Sequence, residues 1–222
     1  MDSNEISQAS IDQAELEAED LAYKVKSGQI DKSDWQKAMI ALIIAELIRQ
    51  YLFGKAVGLQ GGAVVGSEAN VVVGGGGTLK AGLTSQQISD LAKGGGAYLE
   101  ELAALLTPEE LKTLTDIIRT QAGFLATFAD ALETLTISEI IRRAEMYLSS
   151  TRQGFEKGKA AAYGIELPAY PGDGSTPCLS NCRCYWQIES GEAILAYWRL
   201  GTADHCPTCS QRSQEWNPYI VK

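Results

Sequence analysis

Apolar residues recur at helical spacing along most of this chain, and the pattern changes kind twice. From Ser10 the run Ile11-Asp-Gln-Ala-Glu-Leu-Glu-Ala-Glu-Asp-Leu-Ala-Tyr23 reads as an amphipathic helix whose acidic first turns suit the positive end of a helix dipole. Residues 1–9 are polar and predict disorder, and Ser27-Gly28 predicts the stop. A second helix is predicted after Asp31, a good N-cap with Asp34 three residues on. It carries Trp35, Met39, Leu42, Ile43, Leu47, Ile48 and Tyr51 to about Val57. These positions cover nearly the whole circumference, so burial on more than one side is expected.

The first change comes at Gly58. Through Leu83 the sequence holds Gly61-Gly62, Gly66 and the run Gly74 to Gly77, with Ala63-Val-Val and Val71-Val-Val between them. Short β-branched runs between glycines predict a small hairpin or loop, or an arm reaching a neighbouring subunit. Neither a P-loop nor a dinucleotide fingerprint is present, so phosphate cradling is not expected. Helical spacing returns from Thr84 to Leu106, with Gly94-Gly95-Gly96 predicting a kink. Thr107-Pro108-Glu109-Glu110 is a helix start with an N-cap threonine and proline at the first position, and predicts a helix to about Leu135. Ser138-Glu139 is read as opening a last long helix striped by Ile137, Ile141, Ala144, Leu148 and Phe155. That helix is predicted to close near Tyr163, with Gly164 in the C′ position.

The second change follows at once. Ile165 to Pro177 contains Pro168, Pro171, Gly172 and Gly174, which predict an extended, turn-rich linker. Beyond it, Cys184-Tyr-Trp-Gln-Ile188 and Ala193 to Leu200 predict two strands joined at Glu189-Ser-Gly-Glu192. A short helix is predicted from Cys209 through Trp216, ended by Pro218. The fold expected is therefore mainly α. It comprises N-terminal helices (1–57), a glycine-rich loop or β-arm (58–83), a helical region (84–164) and a small cysteine-rich β-hairpin module (165–222).

That module holds every cysteine of the chain: Cys178, Cys182, Cys184, Cys206 and Cys209, with the single histidine at His205. Two thiol clusters flanking a hairpin have the sequence form of a tetrahedral zinc site, because the hairpin brings its own ends together. Cys206 and Cys209 form the C-x-x-C knuckle. Cys178 and Cys182 are the expected partners, and Cys184 can stand in for either, since residues two apart on a strand point the same way. His205 is a weaker alternative ligand. Disulfides with one thiol left over, or thiols with no special role, stay open as alternatives. A thiolate-rich closed site argues against catalytic zinc, which needs an open position and a nearby base.

Charge narrows the classes further. The 222 residues carry a net charge of −9 and a pI near 4.7. An acidic chain is poorly suited to coating nucleic acid, which requires a basic surface to release counterions. Arg142, Arg143, Arg152, Lys157 and Lys159 form the one mildly basic helical segment, read as a solvated face. The N-terminus lacks the basic and apolar regions of a signal peptide, so secretion is not expected. The most apolar run, Ala38 to Ile48 with Glu46 inside it, falls well short of the ~20 residues that span a membrane. Reduced thiols at synthesis are then expected, and these favour metal.

The stretch Tyr163 to Trp186, with Asn181-Cys-Arg-Cys184 at its centre, resembles the C-terminal segment of tailed-bacteriophage minor capsid or head-morphogenesis proteins. Trp198-Arg-Leu-Gly-Thr-Ala-Asp-His-Cys-Pro-Thr-Cys209, with Glu215-Trp-Asn-Pro-Tyr219, is similar to that group's second cysteine segment. The resemblance implies a virion structural protein without catalysis of its own, made in the host cytoplasm. It also implies the five cysteines as a structural constellation, with Arg183 projecting between two of the thiols. The implied partners are other virion proteins, major capsid or portal and connector, and further copies of itself; no membrane partner is expected, and the acidic balance makes nucleic acid a poor one. The competing expectation is a zinc-ribbon nucleic-acid or adaptor module, using Arg183, Arg199 and Arg212 with Tyr185, Trp186, Tyr197 and Trp198 for base stacking. No paired carboxylates, nucleophile elbow or cofactor fingerprint points to an enzyme.

Overall fold

A computed structural model describes residues 3–62, 106–202 and 204–221. The chain is mainly α-helical, with a small antiparallel sheet near its C-terminus where the cysteines gather. It divides into two compact units. One draws on Met1–Arg49 and Ala92–Thr151, the other on Gln50–Leu91 and Arg152–Lys222. The stretch expected as an arm lies outside the described residues from 63 onward, as does the helix expected from Thr84, up to residue 105. Among the described residues no helix is long and apolar enough to cross a membrane.

Among the described residues, the regular structure of the first unit is all helical. Helix α1 (Ser3–Lys26) starts well before Ser10, because Ser7 and Ser10 are buried and not solvated. Gly28, at φ 74°, ends the turn after it. Helix α2 (Lys32–Gly62) begins where Asp31 accepts the Asp34 N–H at 2.8 Å, and runs past Val57 to Gly62. Its residues as far as Arg49 belong to this unit. Trp35, Met39, Leu42, Ile43, Leu47 and Ile48 are all buried, as the all-round apolar pattern requires. Glu46, the charge inside the apolar run, is fully buried. It accepts from the Ser10 hydroxyl and pairs with Arg49, so the interruption is satisfied internally.

Helix α3 (Pro108–Ala131) and helix α4 (Ile137–Ser149) follow in this unit. Both open on a full capping box, Thr107 with Glu110 and Thr136 with Glu139. The second cap lies at Thr136, ahead of the expected Ser138. Ile11, Ala14, Ala18, Leu42, Phe128, Ile140, Ala144 and Leu148 share one core, in which Phe128 meets the Trp35 ring edge-on at 5.2 Å.

The helix expected to run to Tyr163 is two helices, and the break is a correction with a local cause. The Ser150 and Thr151 hydroxyls donate back to the carbonyls of Tyr147 and Leu148 at 2.6 and 2.5 Å, an alternative to helix continuation that needs no proline. Helix α5 (Arg152–Ala162) then belongs to the second unit, and Gly164 follows it at φ 66° as expected.

The second unit packs α5 against the C-terminal part of α2 at very close range. A Cβ on Gly54 would overlap the Phe155 carbonyl, and one on Gly158 would overlap the Tyr51 carbonyl, so each helix supplies a glycine at the crossing. Strands β1 (Tyr185–Ser190) and β2 (Ile194–Arg199) form the predicted hairpin, with Trp186 opposite Trp198. A third strand, β3 (Tyr219–Val221), pairs with β2 and was not predicted. Helix α6 (Pro207–Glu215) lies between β2 and β3 and ends ahead of Pro218. The linker is itself packed: Leu167, Ala169 and Tyr170 are buried, and the Ala169 carbonyl accepts the Trp186 indole N–H at 2.9 Å.

Candidate metal centre

Each knuckle is shaped by local backbone chemistry. Cys178 leads into a 3₁₀ turn, Leu179–Asn181, in which Leu179 takes the left-handed φ of 48° and returns the chain to Cys182. Cys184 follows two residues on, immediately ahead of β1. In the other knuckle Cys206 is the N-cap of α6, its sulfur accepting the Cys209 N–H at 3.4 Å, with Pro207 at the first helical position. The C-x-x-C spacing thus places both thiols at the start of one helix.

The fold brings these segments together. The Cys178 sulfur lies 3.7 Å from that of Cys206 and 3.7 Å from that of Cys209, while Cys182 and Cys209 are 3.6 Å apart. All five cysteines are free thiols. A disulfide requires about 2.05 Å. A tetrahedron with metal–sulfur bonds of about 2.3 Å has edges of about 3.8 Å, close to these separations. Two triads have their sulfurs mutually within 4.8 Å: Cys178, Cys206 and Cys209, and Cys182, Cys184 and Cys209. Cys209 belongs to both. The fifth thiol is therefore inside the cluster. His205 is in neither triad.

Cys182, Cys184 and Cys209 are buried, and Cys178 and Cys206 are partly exposed. Their protons are held unequally. The hydrogen bond with the Cys184 thiol draws Cys182 down to about 5. The same bond, with burial, pushes Cys184 far up. Burial, then the charge of Cys182, raises Cys209, and burial raises Cys178. Slight burial opposes ionisation of Cys206, but the Cys209 N–H and the neighbouring thiols outweigh it and hold Cys206 low. This donor set fits a soft or borderline cation, which takes thiolates and displaces their protons. The cluster could hold a metal ion.

Several supporting residues escaped the sequence reading. Arg152 and Lys159, read there as part of a solvated face, are buried, and so is Glu156. Glu156 accepts the Trp186 backbone N–H at 3.0 Å, and Lys159 donates to the Trp186 carbonyl at 2.8 Å. Joined to each other at 2.9 Å, the two side chains satisfy both backbone groups of an edge-strand residue, as a neighbouring strand would. Burial lowers the pKa of Arg152, while Glu156, and less strongly Cys182 and Cys184, favour its charge. Arg212 of α6 stacks on Trp198 and Trp216 at 5.2 and 5.0 Å and donates to Ser175 at 3.1 Å, tying the second knuckle to the loop before the first. No sequence signal marks Glu156, since its partner lies 30 positions away.

Of the aromatics considered for base stacking, Trp186 and Trp198 are used internally, while Tyr185 and Tyr197 are partly exposed. Trp186 and Trp198 are buried and meet edge-to-face at 5.2 Å, with Trp216 stacked on Trp186 at 5.5 Å. Arg199 donates to Gln187 and Asn217. Compared with family models, with curated proteins and with solved structures, the chain matches none.

Proposed function

We propose that this chain is a virion structural protein, a minor capsid, head-assembly or connector-associated component that works through protein–protein contacts. Its C-terminal module is stapled by one structural zinc ion held by Cys178, Cys182, Cys206 and Cys209. The single observation that carries the structural part is the sulfur cluster, in which three separations among the proposed ligands, 3.6 and 3.7 Å, are close to the edges of a thiolate tetrahedron. A sheet with strands of six, six and three residues has little apolar core of its own and depends on such a staple. Zinc is the metal we favour, because a closed four-thiolate site with a purely structural role has no need of a redox-active ion.

The virion part is supported by the resemblance of the two cysteine segments to tailed-phage head proteins, and by an acidic balance suited to protein partners more than to packaged DNA. The chain acts without catalysis of its own. Two experiments test the two parts separately. Metal analysis of the purified full chain should give one zinc per chain, and a metal-free folded protein contradicts the staple. Quantitative mass spectrometry of purified phage particles should find the chain at a fixed, multiple copy number. Its absence from particles contradicts the virion assignment.

A further inference from the structure

Five thiols occupy a site that needs four, and the way they divide is informative. Cys178, Cys206 and Cys209 form one triad and Cys182, Cys184 and Cys209 the other, each with its sulfurs within 4.8 Å. We propose that Cys209 is the obligate pivot of the metal centre and that Cys184 is a reserve ligand, able to complete the coordination when Cys178, Cys182 or Cys206 is lost. This rests on the reading of the cluster as a metal centre.

The geometry supplies the asymmetry. Cys209 is fully buried and lies 3.7 Å from Cys178 and 3.6 Å from Cys182, so it links the two knuckles directly. Cys184, 1% exposed, stands within 4.8 Å of both Cys182 and Cys209. A metal ion with bonds of about 2.3 Å, held against Cys209, has this fifth sulfur within a short side-chain movement. Removing any of Cys178, Cys182 or Cys206 leaves Cys209, two of the remaining ligands and Cys184, which is again four sulfurs. Removing Cys209 removes the only sulfur that the triads share. Exchange among five thiolates needs no redox step, only the loss of one metal–sulfur bond as another forms, with the incoming thiol releasing its proton.

Cobalt(II) substitution of the full chain tests this, because thiolate-to-cobalt charge-transfer absorption counts the sulfurs bound. Cys178→Ser, Cys182→Ser and Cys206→Ser should each retain a full equivalent of cobalt with a four-thiolate spectrum, as should Cys184→Ser. Combining any of the first three with Cys184→Ser should leave a three-thiolate spectrum and weaken binding by on the order of a hundredfold or more. Cys209→Ser alone should fail to give a four-thiolate spectrum. A three-thiolate spectrum in the Cys178→Ser, Cys182→Ser and Cys206→Ser single variants, or a four-thiolate one in Cys209→Ser, overturns the proposal. The spectrum reports ligand number in whatever protein binds, so partial misfolding does not mask the result. Failure of the unaltered chain to bind any cobalt or zinc overturns the metal reading itself.

Discussion

The two units solve the same problem with different materials. The first buries aliphatic and aromatic side chains from amphipathic helices, including Ile11, Leu42, Phe128, Ile140 and Leu148. Area removed from water stabilises it, and capping boxes at Thr107 and Thr136 set its helix starts. The second has short strands and a core of sulfur and indole: Cys182, Cys184 and Cys209 beside Trp186 and Trp198. Glu156 and Lys159 are buried together around the Trp186 backbone, and the partly exposed Arg212 lies against two tryptophans and donates to Ser175. An apolar core degrades gradually as methylenes are lost. A set of paired buried charges fails when one partner is removed.

Single substitutions should separate these two behaviours. The largest effect is expected for Lys159→Met, which leaves the buried Glu156 carboxylate without its directly bonded cation, with only Arg152 nearby, and the Trp186 carbonyl without its donor. It should cost about 3–5 kcal/mol, read as lost near-ultraviolet circular dichroism from the tryptophans of the second unit. An effect below ~1 kcal/mol would mean that the edge clamp is dispensable. Leu148→Ala should cost the first unit about 2–5 kcal/mol in chemical denaturation through the cavity it opens, without changing metal content. Gly158→Ala comes next, at about 1–3 kcal/mol for the overlap with the Tyr51 carbonyl, and should affect the second unit. If it stabilises the protein, the close crossing of α2 and α5 is contradicted.

The smallest effect belongs to Thr136→Ala, about 1 kcal/mol for the lost cap. Its pH dependence carries the sign. Hydrogen bonds from the Thr136 backbone and hydroxyl hold Glu139 below its ordinary carboxyl value of 4.5. A carboxyl depressed in the folded state stabilises fully above its unfolded value, and that contribution is lost as pH falls through the folded one. The gap between wild type and Thr136→Ala in thermal unfolding should therefore be widest near neutral pH and narrow in acid. A gap that widens in acid contradicts the capping box.

What could be read in the sequence was whatever is encoded within a few residues. The Thr107 cap, the Gly164 stop, the Tyr185–Arg199 hairpin and the C-x-x-C knuckle each depend on neighbours in the chain. The break at Ser150 escaped because two hydroxyls make it where proline or glycine would have signalled it. The basic residues of α5 were taken for a solvated face because their environment comes from a strand far along the sequence. Strand β3 is too short for alternation to show and exists only through its pairing with β2. In the thiol cluster, all five cysteines were visible as candidates. The sharing of Cys209 between two triads was not, because spacing alone does not give distances between knuckles.

The central claim is that metal at the thiol cluster holds the second unit together, while the first stands on its apolar core. Hydrogen–deuterium exchange of the full chain, with and without a strong zinc chelator under reducing conditions, tests it most directly. Chelation should strip protection from Cys178 through Val221, most of all from β1, β2 and α6, and leave α1, α3 and α4 unchanged. Undiminished protection of the hairpin after complete metal removal would contradict the account, as would equal loss from both units.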